Sequence, residues 1–411
     1  MASPGWKKDL GFSDRLVTIQ SLTTAYQRAS SSAAFSEAQS QAKRYESEAY
    51  NQANSRKEYD ELCQNAIDAA EATHSEAPII SSPEQVHDDF NPEKWGSGEK
   101  IGPYRSCLPH FEGIHSSIYK SQSDDGTLIA VKVTVPHLLT APHDAKVEVR
   151  LLREAASPHV VPLLDALNID GGRLILVFPF LRYDFEHLLR RDMLTAAQTK
   201  SHLRDMFHAL QHLHELGIIH RDIKPSNILM NSPDGPAYLA DFGIAWKEGY
   251  NASEPAAEKI TDVGTTCYRP PEILFGYRGY NVALDLWAAG CVVAEAVGVG
   301  HKQLFDSGPV GSDLSLIHSI FVTLGTPDAE TWPVRVPFLP VVSLFNRVVQ
   351  ETRKLPDWKK VEFLRYAAKP WEEILKGASS RGRDLVSKLV RYESSERMCA
   401  AEALKHPYFS S

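Results

Sequence analysis

Asp222, Lys224 and Asn227 stand within one short string, Ile219-His220-Arg221-Asp222-Ile223-Lys224-Pro225-Ser226-Asn227-Ile228-Leu229. A carboxylate, an amine and a carboxamide at this spacing suit phosphoryl transfer, in which a protein mainly positions reactants and neutralises charge. Asp222 is the candidate base that orients an attacking hydroxyl, and Lys224 the candidate for steadying the phosphate in transit. Asn227 is a candidate Mg²⁺ ligand. Asp241-Phe242-Gly243 follows the apolar run Ala237-Tyr238-Leu239-Ala240, and Asp241 is the other candidate Mg²⁺ ligand. A charged run between apolar segments is most often a solvated turn, and a lone Asp-Phe-Gly is weak. The two strings in this order and this close together outweigh that bland reading.

These side chains need elements to hold them. From about Ile101 the pattern reads as short strands, with 116–120 and 127–133 flanking Asp124-Asp125-Gly126 as a hairpin. Lys132 lies in the second of these. A lone Lys in an apolar strand usually sits at an edge in water, but the next helical run supplies a counter-ion. That partner is Glu148, in an amphipathic run that stops before Pro158, with Glu154 as the alternative. Leu174 to Leu181 read as a buried strand leading into Arg182-Tyr183-Asp184. Leu203, Met206, Phe207, Leu210, Leu213 and Leu216 form the core stripe of a helix that ends at the 219–229 string. The interspersed His208, His212 and His214 read as surface or packing residues of that helix, not metal ligands.

Residues 103–409 resemble a eukaryotic protein kinase domain, and Lys224-Pro225-Ser226-Asn227 resembles the serine/threonine type. Tyr268-Arg269-Pro270-Pro271-Glu272 stands where kinases carry Ala-Pro-Glu. Asp285 to Cys291 is similar to the buried helix whose Asp anchors the catalytic loop, and Arg397 is placed to pair with Glu272. Leu324-Gly325-Thr326-Pro327 with Trp332-Pro333 resembles the cyclin-dependent-kinase-like (CMGC) group. Leu355 to Phe363 is similar to the fungal single-subunit kinases that activate cyclin-dependent kinases. The resemblance implies an α+β, two-lobed fold: a small β-rich lobe (103–178), a hinge (179–184) and a large α-helical lobe (185–409). It implies ATP and Mg²⁺ between them. Gly113, Lys132, Glu148, Phe178 and Leu181 would bind the nucleotide, Asn227 and Asp241 the metal, and Thr265 would join Asp222 and Lys224 in catalysis. The implied partner is a protein substrate phosphorylated on Ser or Thr, with a cyclin-dependent kinase as one candidate.

Several departures from that pattern bear on regulation. Kinases generally carry Gly-x-Gly-x-x-Gly over the phosphates; here Phe111-Glu112-Gly113-Ile114-His115-Ser116 keeps only Gly113. A stiffer loop with weaker ATP affinity or slower turnover is expected. The same departure sustains the alternative of a pseudokinase scaffold that recruits partners through the fold and the N-terminal helices. The helix that binds cyclin in relatives reads Pro142-His143-Asp144-Ala145-Lys146-Val147-Glu148. Ile260 occupies the phosphothreonine position, and of the three arginines that clamp it only Arg221 remains, the others being Val147 and Trp246. Two lost bidentate phosphate partners remove most of the grip. Activity without activation-segment phosphorylation and without cyclin is therefore expected, with Glu254, Glu258 or Asp262 neutralising Arg221. Thr261 is the alternative phosphosite.

The rest of the chain sets limits. With 44 Lys+Arg against 52 Asp+Glu, the net charge is −8, so neither nucleic acid nor a membrane surface is expected as the main partner. Cysteines 63, 107, 267, 291 and 399 show no paired spacing, which argues against a disulfide framework or a zinc site. No apolar run has transmembrane length, and an intracellular protein, nuclear or cytoplasmic, is expected. Residues 1–74 read as a helical, low-order extension: Leu16, Ile19, Leu22 and Tyr26, then Phe35, Ala42, Tyr45 and Ala49, recur at helical spacing between Ser-, Ala- and Gln-rich runs. Residues 75–102 read as a linker, and about 338–353 as an apolar insert.

Overall fold

The computed structural model describes residues 98–410 except 114, 251–253, 309–310, 329–330, 333–354 and 356–362, together with 55–75 and scattered positions between 18 and 53. The chain divides into two compact units, Met1–Phe90 with Gly308–Val310, and Asn91–Ser307 with Gly311–Ser411.

In the first unit helix α1 (Arg56–Ser75) begins where Ser55 Oγ accepts the Glu58 N–H at 3.2 Å. Its Tyr59 and Cys63 pack on Ala49 and Ala53, and the buried Tyr59 hydroxyl donates to Glu46 Oε1 at 2.9 Å. Of the predicted stripe, Leu22, Tyr26, Ala42, Tyr45 and Ala49 fall among the described residues and are helical. Leu16, Ile19 and Phe35 lie outside them, as does the 338–353 insert.

The second unit has a β-rich lobe and a helical lobe. Strands β1 (Glu99–Ile101), β2 (Tyr104–Glu112), β3 (Ser117–Gln122), β4 (Leu128–Thr134), β5 (Asp165–Ile169) and β6 (Arg173–Pro179) form one curled antiparallel sheet in the order β1-β2-β3-β4-β6-β5. Turn residues Asp124-Asp125-Gly126 close the β3–β4 hairpin, with Ser121 opposite Ile129 and Ile118 opposite Lys132. Alternation sorts the faces: Ile129 and Val131 of β4 join Ile101, Cys107, Ile175 and Val177 in the lobe's own core, which turns Ala130 and Lys132 the other way. Helix α2 (Ala145–Glu154) follows. Asp144 Oδ1 caps it by accepting the Lys146 and Val147 N–H groups at 2.9 and 3.0 Å. We expect Asp144→Ala to cost roughly 1 kcal/mol of stability, read as a lower urea midpoint; an unchanged midpoint would mean that packing alone fixes the start of this helix.

Beyond β6 the chain is mainly helical. Strand β7 (Tyr183–Asp184) pairs with β8 (Ile228–Met230), and β8 with β9 (Ala237–Leu239). Helix α3 (Phe185–Arg190) is capped by Asp184, and α4 (Ala196–Glu215) by a reciprocal Thr195–Gln198 box. The α4 stripe Leu203, Met206, Phe207, Leu210 and Leu213 is fully buried. Helix α5 (Pro271–Leu274) precedes α6 (Ala283–Val297), which is buried from Ala283 to Ala296 and apolar on every face apart from Asp285 and Glu295, as suits a helix at the centre of a lobe. Helices α7 (Asp313–Leu324), α8 (Trp371–Ile374), α9 (Ser380–Leu389) and α10 (Ala400–Ala403) complete the lobe. Glu272 and Arg397 form a buried bidentate pair, with oxygen–nitrogen distances of 2.6 and 2.7 Å, beside Trp287. Trp332 stacks on Tyr392, whose hydroxyl donates to Gly325 O at 2.6 Å.

Candidate active site

The 219–229 string becomes a loop because both its ends are pinned. Ile219 and Trp246 exchange backbone hydrogen bonds of 2.9 and 2.8 Å, and Ile228 enters β8. Between them the backbone would be unsatisfied without Asp285, a carboxylate of α6 with no exposed surface. It accepts the N–H groups of His220 and Arg221, both at 2.9 Å, and lies 3.0 Å from His214 Nε2. His220 is itself buried. The Asp222 N–H donates to its Nδ1 at 3.3 Å, so Nε2 carries the proton and donates to Ala240 O at 3.0 Å. Burial pulls the imidazole below its usual pKa, which keeps it neutral in this role. Arg221 and Asp241 are both held at positive φ, 71° and 65°. Such backbone conformations in non-glycine residues persist only where the surroundings over-determine them.

Three of the predicted residues converge on the carboxylate of a fourth, Asp222. Its Oδ1 accepts from the Thr265 N–H at 3.0 Å and the Thr265 hydroxyl at 2.9 Å. Its Oδ2 accepts from Asn227 Nδ2 at 3.1 Å and lies 2.7 Å from Lys224 Nζ. Lys224 Nζ also donates to Thr265 Oγ1 at 3.0 Å. Burial works against the Lys224 charge, but Asp222 prevails and raises its pKa. Thr265 is brought to this point by Gly264, whose φ is +77° and where any Cβ would lie 2.6 Å from Arg221 O. Only glycine permits that approach. Gly264 is a residue the sequence reading missed, although a glycine just before Thr265 was there to be asked about.

Three more predicted residues meet on the other side. Lys132 Nζ lies 2.7 Å from Glu148 Oε1 and 3.1 Å from Asp241 Oδ1. Glu148 therefore takes Lys132, and the alternative, Glu154, is engaged elsewhere: it pairs with Lys247 and accepts the Tyr250 hydroxyl. Burial alone would depress Lys132, but Asp241 and Glu148 together raise it above its usual value. Lys132 holds the Asp241 carboxyl well below the ordinary carboxylate range, and Lys224 adds to this from the neighbouring cluster. The Asp241 side chain is half exposed while that of Glu148 is 4% exposed, so Asp241 is the carboxylate a solvent cation can reach.

The uncharged candidates are placed by the sheet. Phe178, in β6, stands opposite Ala130, and Phe180 N donates to Leu128 O at 3.1 Å in the link that carries Leu181. Both Phe178 and Leu181 pack partly buried on the main core. Gly113 closes the β2–β3 connection by donating its N–H to Ser116 O at 2.9 Å. The His115 ring lies against that of His143, just before α2, with centroids 3.8 Å apart. The sequence reading did not single out either histidine; the contact joins residues far apart in the chain.

Arg221 is neutralised without phosphate. Its guanidinium pairs with Glu254, donating to Oε1 at 2.5 Å and Oε2 at 3.2 Å, and both side chains are almost fully buried. Of Glu254, Glu258 and Asp262, it is thus Glu254 that neutralises Arg221. Glu258 lies near Arg278 at 3.9 Å, and Asp262 pairs with Arg269 at 2.8 Å. Glu254 Oε1 also accepts the Ile260 N–H at 2.8 Å, and its backbone carbonyl takes the Trp246 indole N–H at 2.9 Å. Lys259, buried over the Trp246 and Tyr280 rings, is pulled down to about 8 by burial and by Arg221.

Asp241 and Asn227 fit a Mg²⁺ ion that arrives with phosphates. Such an ion takes one or two protein oxygens and completes its octahedron with water and substrate. Asn227 donates its amide nitrogen to Asp222 O at 2.8 Å as well as to the carboxylate, which leaves its carbonyl oxygen for a cation. Among the described residues no group of three or more His, Cys, Asp or Glu forms a dedicated metal cage.

Comparison with known families gives two matches. A model of the protein kinase domain matches residues 112–409, and a model of the KIX domain matches residues 3–78. The second covers the stretch that the sequence reading treated as a helical extension.

Proposed function

Because the chain belongs to the protein kinase family, we propose that it is an active serine/threonine kinase, independent of cyclin and of activation-segment phosphorylation, that acts on cyclin-dependent kinases. The observation that carries an active enzyme is the Asp222–Lys224–Thr265–Asn227 network, set beside an intact Lys132–Glu148–Asp241 cluster. Asp222 accepts four donors and is thereby fixed, ready to orient a substrate hydroxyl. Lys224, raised above its usual pKa, offsets charge on the group in transit, and Thr265 holds both. Lys132 binds the nucleotide's phosphates, oriented by Glu148, while Gly113 covers them and Phe178 and Leu181 line the base. Mg²⁺ held by Asp241 and Asn227 would neutralise phosphate charge when it is bound with ATP.

Serine/threonine preference rests on the Lys224-Pro225-Ser226-Asn227 form, and the cyclin-dependent-kinase substrate on the loss of two clamp arginines (Val147 and Trp246) together with the resemblance of Leu355 to Phe363 to the fungal activating kinases. An intracellular location, nuclear or cytoplasmic, goes with that substrate. The KIX match supports a protein-binding role for residues 3–78. The test of the substrate is transfer from labelled ATP to a catalytically dead cyclin-dependent kinase. Label on its activation-segment threonine supports the pathway; label on generic substrates alone keeps the kinase and removes the pathway.

Phosphorylation independence rests on Glu254 occupying Arg221. Thr261→Ala is accordingly expected to retain full turnover, measured as initial rate. A large loss would make Thr261 the phosphosite. One observation favours a second reading, a scaffold without catalysis: the Gly113 amide is spent on Ser116 O and is not free for a phosphate. An ATP-dependent rise in melting temperature without transfer would separate that scaffold from a chain that binds no nucleotide.

A further inference from the structure

We propose that Glu154, Lys247 and Tyr250 form a latch by which the segment after Asp241 holds helix α2, and with it Glu148, in position. The proposal rests on reading the chain as a kinase that needs no partner to set this helix. Glu148 lies in the first turn of α2 and Glu154 is its last residue. One carboxylate holds Lys132; the other faces the chain that follows Asp241-Phe242-Gly243.

Both Glu154 oxygens are engaged there. Lys247 Nζ pairs with Oε1, and the Tyr250 hydroxyl donates to Oε2 at 2.5 Å. The Arg150 guanidinium, one turn back on the same helix, lies 3.9 Å from the centroid of the Tyr250 ring, and Lys247 Nζ lies 5.4 Å from it. Lys247 and Tyr250 hold the Glu154 carboxyl below its usual pKa, as a carboxylate engaged in its charged form should be. Two side chains of α2 thus grip two residues of the segment that also carries Asp241. A swing of the helix away from the sheet would break Lys132–Glu148 and the Glu154 contacts together. The helix start is held separately, by the Asp144 cap and the His143–His115 ring contact. The geometry makes Glu154, Lys247 and Tyr250 positioning residues: they act through Glu148 and touch no substrate.

Charge reversal tests this in the full chain. Lys247→Glu and Glu154→Lys are made singly and together, with Tyr250→Phe as the mildest variant. Amide hydrogen exchange across residues 145–154 is the first readout, since it does not depend on turnover. Each single reversal is expected to speed exchange on the order of tenfold, the double swap to restore it, and Tyr250→Phe to fall between. In the same proteins kcat should fall with the singles and recover in the double, with melting temperature nearly constant. Unaltered exchange in the singles, or a double as fast as either single, would overturn the latch. A wild-type chain that transfers no phosphate would sink the kinase reading instead, and the exchange pattern would still decide the latch.

Discussion

Asp222→Asn is expected to lower turnover by about 10²–10⁴-fold while leaving ATP binding close to wild type. The reason lies in how the carboxylate is used. Both oxygens accept, Oδ1 from two donors of Thr265, and Oδ2 from Asn227 with Lys224 beside it. A carboxamide offers one accepting oxygen, so its nitrogen must face donors on one side, and the negative charge that orients a hydroxyl is gone. Some stability is lost as well, which thermal melting reads separately. Lys132, Glu148 and Asp241 do not touch Asp222 in the hydrogen-bond network, so the nucleotide-induced shift in melting temperature should persist. Turnover equal to wild type would refute the role assigned to Asp222.

Glu254→Ala is expected to destabilise the chain by roughly 3–5 kcal/mol, the usual cost of leaving a buried charge without its partner. Arg221 has no exposed side-chain surface and takes two of its donors to Glu254. Lys259 is buried beside it and already repelled by it. Removing the carboxylate leaves two cations together, and Ile260 and Arg221 both lose an acceptor. Urea denaturation of wild type and variant reads the loss. Turnover should fall with it, because Arg221 sits next to Asp222 and its backbone N–H is fixed by Asp285. A variant as stable as wild type would show that Arg221 finds another counter-charge, and the case for a segment neutralised by Glu254 would fail.

The parts of the site that lie in contiguous strings were legible in the sequence. Asp222, Lys224 and Asn227 share one loop, and their chemistry is written in residue type and spacing. The choice between Glu148 and Glu154 for Lys132 was drawn correctly as a choice, but both lie on one helix, and only its orientation decides which end meets the sheet. Arg221 offered three acidic candidates. Selecting Glu254 required the path of a loop whose turns no periodicity encodes. The His115–His143 contact and the Glu154–Lys247–Tyr250 cluster join residues from separate elements, so no local pattern announces them. The two-lobed fold was legible only through the resemblance those strings carry, and the alternating burial around Val131 and the buried Leu286–Ala294 stretch of α6 agree with it. The stripe begun at Leu16 was thinner: too few apolar residues per turn to define packing partners.

The most direct test is to produce the full chain in bacteria and establish by intact mass that it carries no phosphate. The initial rate of phosphate transfer from ATP with Mg²⁺ to a protein acceptor is then measured beside Asp222→Asn. A wild-type rate well above that of the variant, without phosphate on the enzyme before the reaction, is the result expected of a kinase whose Arg221 is neutralised by Glu254. No transfer until Thr261 or another activation-segment residue is phosphorylated would contradict it.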